Sequence, residues 1–247
     1  MDENKNETQT EETAAAEAVS EKKHFFTENR IEIFVAIFLG ITALLTAWAT
    51  WIGSLHGGNQ ATNYTKSNNL ASEGNSEYNA GMQLYLSDIM AWNTMMDYSF
   101  DQELAQLEGD EAEVELIDQK LQGYIESNAS EYLMYGIQNM TEEMSSPFEV
   151  EGVTDSYFAK ANELLAESRD LLEEGQQDNA NGDKYNLVNV IYSVVLFLLG
   201  IVGIFKRLPN RAVVLLIAVI GLIIATIYMC TIPLPTGFSL SSFFQQG

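Results

Sequence analysis

Three runs of the chain carry almost nothing but apolar side chains: 31–52, 187–205 and 212–232, of 22, 19 and 21 residues. A helix needs about 20 apolar residues to cross a hydrocarbon core about 30 Å thick. Each run meets that length and each is flanked by polar sequence, so all three read as transmembrane helices. The first contains Ala47-Trp48-Ala49, which has the small-x-small form of a signal-peptide cleavage site. However, 30 residues precede the run, and its apolar part exceeds the roughly 7–15 residues of a signal-peptide core. It reads as a retained anchor.

Between the first and second runs, apolar residues recur at helical spacing. Tyr78, Met82, Tyr85, Ile89, Trp92 and Met96 are separated by 4, 3, 4, 3 and 4 positions, one stripe of coiled-coil period. Val114, Ile117, Leu121 and Tyr124 repeat the spacing, as do Phe158, Ala161, Leu165, Ser168 and Leu172. No segment alternates apolar and polar residues long enough to suggest a sheet. Breaks are expected at Gly109, at Ser145-Ser146-Pro147 and over the glycine-containing 175–182. Asn128 and Glu131, at capping-box spacing, mark a fourth. A segment that leaves the membrane and returns to it makes an even number of traverses. Four helices therefore follow, 57–107, 110–127, 129–144 and 154–186, with a two-helix stalk capped by a short transverse element as the alternative. The expected fold is an all-α membrane protein: three transmembrane helices plus an extracytoplasmic antiparallel helical bundle inserted between spans one and two. Residues 1–24 lack large apolar side chains and are expected to form a disordered acidic cytoplasmic tail.

Charge orients this layout. Lys22, Lys23 and Arg30 precede span one, and Lys206, Arg207 and Arg211 fill the turn 206–211 between spans two and three. Short loops rich in Lys and Arg stay in the cytoplasm. The N-terminus and that basic turn are then inside, while 53–186 and the tail 233–247 are extracytoplasmic, in a multi-pass protein of the cell (inner) membrane. The formal net charge is −23, and residues 54–186 alone hold 26 acids and five bases. Such acidity disfavours nucleic acid, which binds through Lys and Arg, and suits a solvated helical surface.

The sequence offers little chemistry. Its single cysteine, Cys230, and two histidines, His24 and His56, leave no basis for a disulfide framework or a Cys-based zinc site. Motifs for a zinc protease, a nucleophile elbow, a phosphate loop or a dithiol are missing, so no catalytic residue, metal ligand or cofactor is assigned and the chain reads as not an enzyme. The acidic cluster Asp110, Glu111, Glu113, Glu115 and Asp118 reads as a solvated face. The segment 177–183 fails as a calcium loop, because Gln177 and Val188 stand where two essential ligands belong. It reads as a polar hinge entering span two.

Span one carries a seam of small residues, Ala36, Gly40, Ala43, Ala47 and Thr50, and span three has Ala218, Gly221 and Ala225. Small residues let helices approach closely in lipid, within one chain or between subunits. Packing of the seam within the chain is the simpler expectation.

Just beyond span one stand Asn69-Leu70-Ala71-Ser72-Glu73 and Tyr78-Asn79-Ala80. With the one-plus-two arrangement of spans, this box resembles a family of small, uncharacterised bacterial integral membrane proteins with a helical extracytoplasmic domain. The family box is similar to Asn-x-Ala-Ser-Asp/Glu, four residues, then Tyr-Gln-Ala. This chain departs from it at Asn75, where the family tends to have Trp, and at Asn79, where it has Gln. The resemblance implies through Asn69, Ala71, Ser72, Glu73, Tyr78 and Ala80 a fold and a membrane location, and no activity.

The sequence thus points to a non-enzymatic, membrane-anchored helical protein for assembly or interaction, with the lipid bilayer and further copies of itself as partners. The alternative is an oligomeric channel or transport accessory subunit, suggested by Thr42, Thr46 and Thr50 and the acidic outer segment.

Overall fold

The computed structural model describes residues 28–239; the acidic tail expected over 1–24 lies outside them. Among the described residues the chain is helical, with no strand. Helix α1 (Glu28–Glu108) is followed by α2 (Glu111–Asn128), α3 (Glu131–Asn139), a one-turn α4 (Val153–Ser156), α5 (Ala159–Ile201) and α6 (Leu208–Thr231), with 3-10 turns at Pro147–Glu149 and Val202–Ile204. Three of these helices, α1, α5 and α6, are long and apolar enough to cross a membrane. The chain divides into two compact units, Met1–Ala61 with Gly175–Gly247, and Thr62–Glu174.

In the first unit, the buried positions of α5 run Tyr185, Val188, Tyr192, Val195, Leu199, spaced 3, 4, 3 and 4. Those of α6, Leu215, Ala218, Leu222, Ala225 and Met229, follow the same rhythm. One face of each helix therefore enters a common core, which α1 joins through Ile31, Ala49 and Ile52. A methyl group added at Gly221 would lie 3.2 Å from Val195 Cγ2, so the small residues of span three serve packing within the chain. The Tyr192 and Thr226 hydroxyls lie 3.1 Å apart across this core. At the basic turn, Arg211 closes the end of α5: its Nε donates to the Phe205 carbonyl at 2.7 Å, and its Nη1 lies 3.9 Å from Glu32 Oε1.

The break expected over 175–182 is absent, because α5 runs through it. A helix-interior glycine costs about 1 kcal/mol relative to alanine, and it is tolerated where another backbone comes close. Such an approach exists here: a methyl group at Gly53 would lie 3.3 Å from Tyr185 Cβ, and Gly182 faces His56 Cβ and the Gly53 carbonyl. The segment read as a hinge is a helix–helix contact.

In the second unit, the expected helix ends at Gly109 and Asn128 are present. Gly109 has φ +79°, the left-handed conformation that glycine adopts without strain at a helix C-terminus. Asp110 caps α2 by accepting from Glu113 N. The cap of α3, however, is Ser130, which accepts from Leu133 N, whereas Asn128 donates back to the Tyr124 carbonyl.

The four-traverse bundle gives way to two traverses. Along α1, descending from Tyr98 through Ala91, Gly81 and Gly74 to Ser67, the partners ascend from Tyr124 through Leu133, Tyr157 and Leu165 to Ser168. Helix α2 and the start of α5 thus both run antiparallel to α1, and between them the chain makes a local excursion that leaves and rejoins Asp88, through Ser130 and then Tyr157. The break at Asn128 is not a reversal, since Tyr124 and Leu133 on either side of it pack in one cluster with Ala91. A helix break with little change of direction adds no traverse.

Candidate functional sites

The second unit is built around a contact line that apolar spacing does not reveal. Ser67, Gly74, Gly81, Asp88 and Met95 are all buried on α1, at intervals of seven. A methyl group at Gly81 would lie 2.2 Å from the Tyr157 carbonyl oxygen, and one at Gly74 would lie 2.9 Å from Leu165 Cγ. The Ser67 and Ser168 hydroxyls each donate to the other residue's carbonyl at 2.8 Å. The predicted stripe of Tyr78, Met82, Tyr85, Ile89, Trp92 and Met96 flanks this line instead of forming it. Tyr78 and Met96 are exposed and the other four half-buried. Bulky side chains at the line of closest approach would hold the helices apart, so they pack beside it, as where Tyr78 stacks on Phe158 with ring centres 5.0 Å apart.

Asp88 is the polar centre of this line, with no exposed surface. Its Oδ1 accepts from the Ser130 backbone N–H at 3.1 Å, and its Oδ2 accepts from the Tyr157 hydroxyl at 2.7 Å and from the Ser130 hydroxyl. The capping serine of α3 and the tyrosine that precedes α5 are thereby fastened to one carboxylate of α1. Burial, and then the bond to Asp88, push the Tyr157 phenol above its ordinary range.

The first unit holds a second polar node. His56 is 1% exposed. Its Nδ1 lies 2.7 Å from Asp178 Oδ1 and its Nε2 lies 3.1 Å from the Pro233 carbonyl oxygen. The Tyr185 ring covers the imidazole at 5.7 Å. Three segments, α1, α5 and the chain just after α6, thus meet at one imidazole. Sequence reasoning passed over both nodes. Asp88 stands alone among apolar neighbours, and His56 and Asp178 are 122 residues apart. The only local signals are an acid on an apolar helix face and a lone histidine beside a span.

The span-one seam lies elsewhere from the packing of its own chain. Ala36, Gly40, Ala43, Ala47 and Thr50 are all exposed on the single chain, and a methyl group added at Gly40 would meet nothing within 4 Å. The face of α1 turned to the other spans carries Thr42, Ala49 and Ile52. Packing of the seam within the chain is therefore corrected: a different face of α1, with Thr42, Ala49 and Ile52, enters the core, and the seam faces outward. Thr42, Thr46 and Thr50 do not share one surface. Thr42 is buried and Thr50 exposed, and each hydroxyl donates to the carbonyl four residues before it, at 2.7, 2.7 and 2.8 Å.

The family-like box is displayed on the surface of α1: Asn69, Ser72, Glu73, Tyr78 and Ala80 are exposed and Ala71 half-buried. The close contact in this stretch belongs to Gly74. The acidic cluster borders an open groove of about 450 Å³ where α1 turns into α2, and Asp118 accepts from Gln122 at 3.3 Å. Among the described residues, no group of three or more His, Cys, Asp or Glu side chains is placed to hold a metal ion. The chain matches no protein family, and no curated protein or solved structure is significantly similar to it.

Proposed function

We propose that the chain is a non-enzymatic, membrane-anchored helical protein that assembles with copies of itself through the small-residue seam of span one. The observation that carries this reading is the outward placement of Ala36, Gly40, Ala43 and Ala47, set against the use of Ala218 and Gly221 inside the chain. Lipid gives helices no hydrophobic reason to associate, so close backbone approach at small residues favours pairing. The Arg211–Glu32 contact places the start of span one beside the basic turn. The excess of Lys and Arg there supports a cytoplasmic N-terminus and an extracytoplasmic acidic unit. The hydroxyl line offers the channel reading no support, since its members bond to their own helix.

Cross-linking of the full chain in mild detergent tests the assembly. A defined multimer is expected, and Gly40→Leu with Ala43→Leu reduces it to monomer while circular dichroism and melting stay unchanged. Gly221→Leu is the contrasting variant: it lowers the melting temperature of the monomer itself. A wild-type chain that stays monomeric at every concentration refutes the assembly. Protection of the acidic unit from protease on spheroplasts refutes the topology.

A further inference from the structure

The His56 node requires a proton count that its sequence neighbours do not suggest. The Pro233 carbonyl can only accept, so Nε2, at 3.1 Å from it, must carry a hydrogen. An ionised carboxylate can also only accept, so Nδ1, at 2.7 Å from Asp178 Oδ1, faces a second acceptor. A neutral imidazole has one N–H and cannot donate to both. The geometry is satisfied when the node holds one proton more than a neutral imidazole beside a carboxylate, and that proton lies on the line from Nδ1 to Oδ1.

Among the described residues, no other side chain bonded at the node supplies the missing donor. On α5, Lys184 Nζ donates to Asn181 Oδ1 at 3.0 Å, and Tyr185 presents its ring. On α6, Cys230 acts electrostatically on Tyr185. Residues 233–239 contain no titratable side chain, and α1 has no charged side chain between Glu32 and Lys66 other than His56.

We propose that His56, Asp178 and Pro233 form a proton-held latch that fastens the segment after α6 to α1 and α5. When the extra proton leaves, one N–H remains for two acceptors. The charged carboxylate is the stronger acceptor, so the hydrogen stays on Nδ1 and the bond to Pro233 is lost. The segment also carries the Thr236 carbonyl, which accepts from Asn59 Nδ2 at 3.2 Å, and Phe238, edge-on to Trp48 and Trp51 at 6.2 and 5.7 Å. Raising the pH therefore loosens this segment and lowering it fastens the segment again. The latch stands on the geometry of the first unit and is independent of self-association.

The first test follows tryptophan emission of the full chain in detergent carrying Trp92→Phe, which leaves Trp48 and Trp51 as reporters. As the pH is raised from mildly acidic to alkaline, the emission is expected to shift reversibly as Phe238 withdraws. Adding Asp178→Asn abolishes the shift, because the amide donates to a neutral Nδ1 and Nε2–H keeps Pro233. No transition in the wild-type background, or the same transition in Asp178→Asn, overturns the latch. The second test needs no change at the node: ¹⁵N-histidine spectra of the His24→Gln chain. At the alkaline end His56 is expected as the Nδ1–H tautomer, and an Nε2–H tautomer there overturns the proposal.

Discussion

Among the described residues, each unit buries one carboxylate at the crossing of distant segments, and the two are satisfied by different chemistry. Asp88 receives three hydrogen bonds from Ser130 and Tyr157, all from neutral donors that hold their hydrogens through the physiological range. Asp178 faces a histidine whose other nitrogen is already committed to a carbonyl. A buried carboxylate without donors is costly, and either arrangement removes that cost. Neutral donors do so permanently. A shared proton does so only while it is bound, which makes the first node a rivet and the second a fastening that the solution can undo.

Asp88→Ala sharpens the comparison most. It strands the Ser130 N–H, the Ser130 hydroxyl and the Tyr157 hydroxyl inside the unit, with an expected loss of about 4 kcal/mol, since each unsatisfied buried group costs about 1–3 kcal/mol. Chemical denaturation followed by Trp92, which packs beside this node, measures it. The same isosteric change made in both nodes comes next. Asp88→Asn turns an acceptor into a donor among donors and is expected to cost about 2 kcal/mol. Asp178→Asn supplies the donor its site lacks and leaves the neutral-pH melting temperature nearly unchanged. Equal losses in the two variants would erase the distinction between the two nodes.

The smallest effect concerns Tyr157. Its phenol is held above the ordinary value near 10 by burial and then by Asp88. Above about pH 10 the unfolded chain therefore releases this proton while the folded chain keeps it, and stability falls as pH rises. Below that value the contribution is complete. Tyr157→Phe is expected to cost about 1 kcal/mol near neutrality and to make the alkaline loss shallower by one proton. Denaturation midpoints at neutral and alkaline pH read both effects. An unchanged alkaline slope would detach Tyr157 from the rivet.

Local spacing along the chain determined a good deal. Run length and polarity marked the three apolar helices, and Gly109 and Asn128 marked where α1 and α2 end, because helix length, period and termination depend on residues a few positions apart. The tertiary structure decided which faces meet. Gly53 and Gly182 approach each other's helices, so glycines that would break an isolated helix persist within one. Ser67, Gly74, Gly81 and Asp88 form the contact line beside the larger apolar stripe, because close packing selects small side chains over greasy ones. The seam of span one turns outward because Ala49 and Ile52 occupy the core. His56 finds Asp178 across more than a hundred residues, and only the antiparallel return of α5 along α1 brings those two atoms within a hydrogen bond.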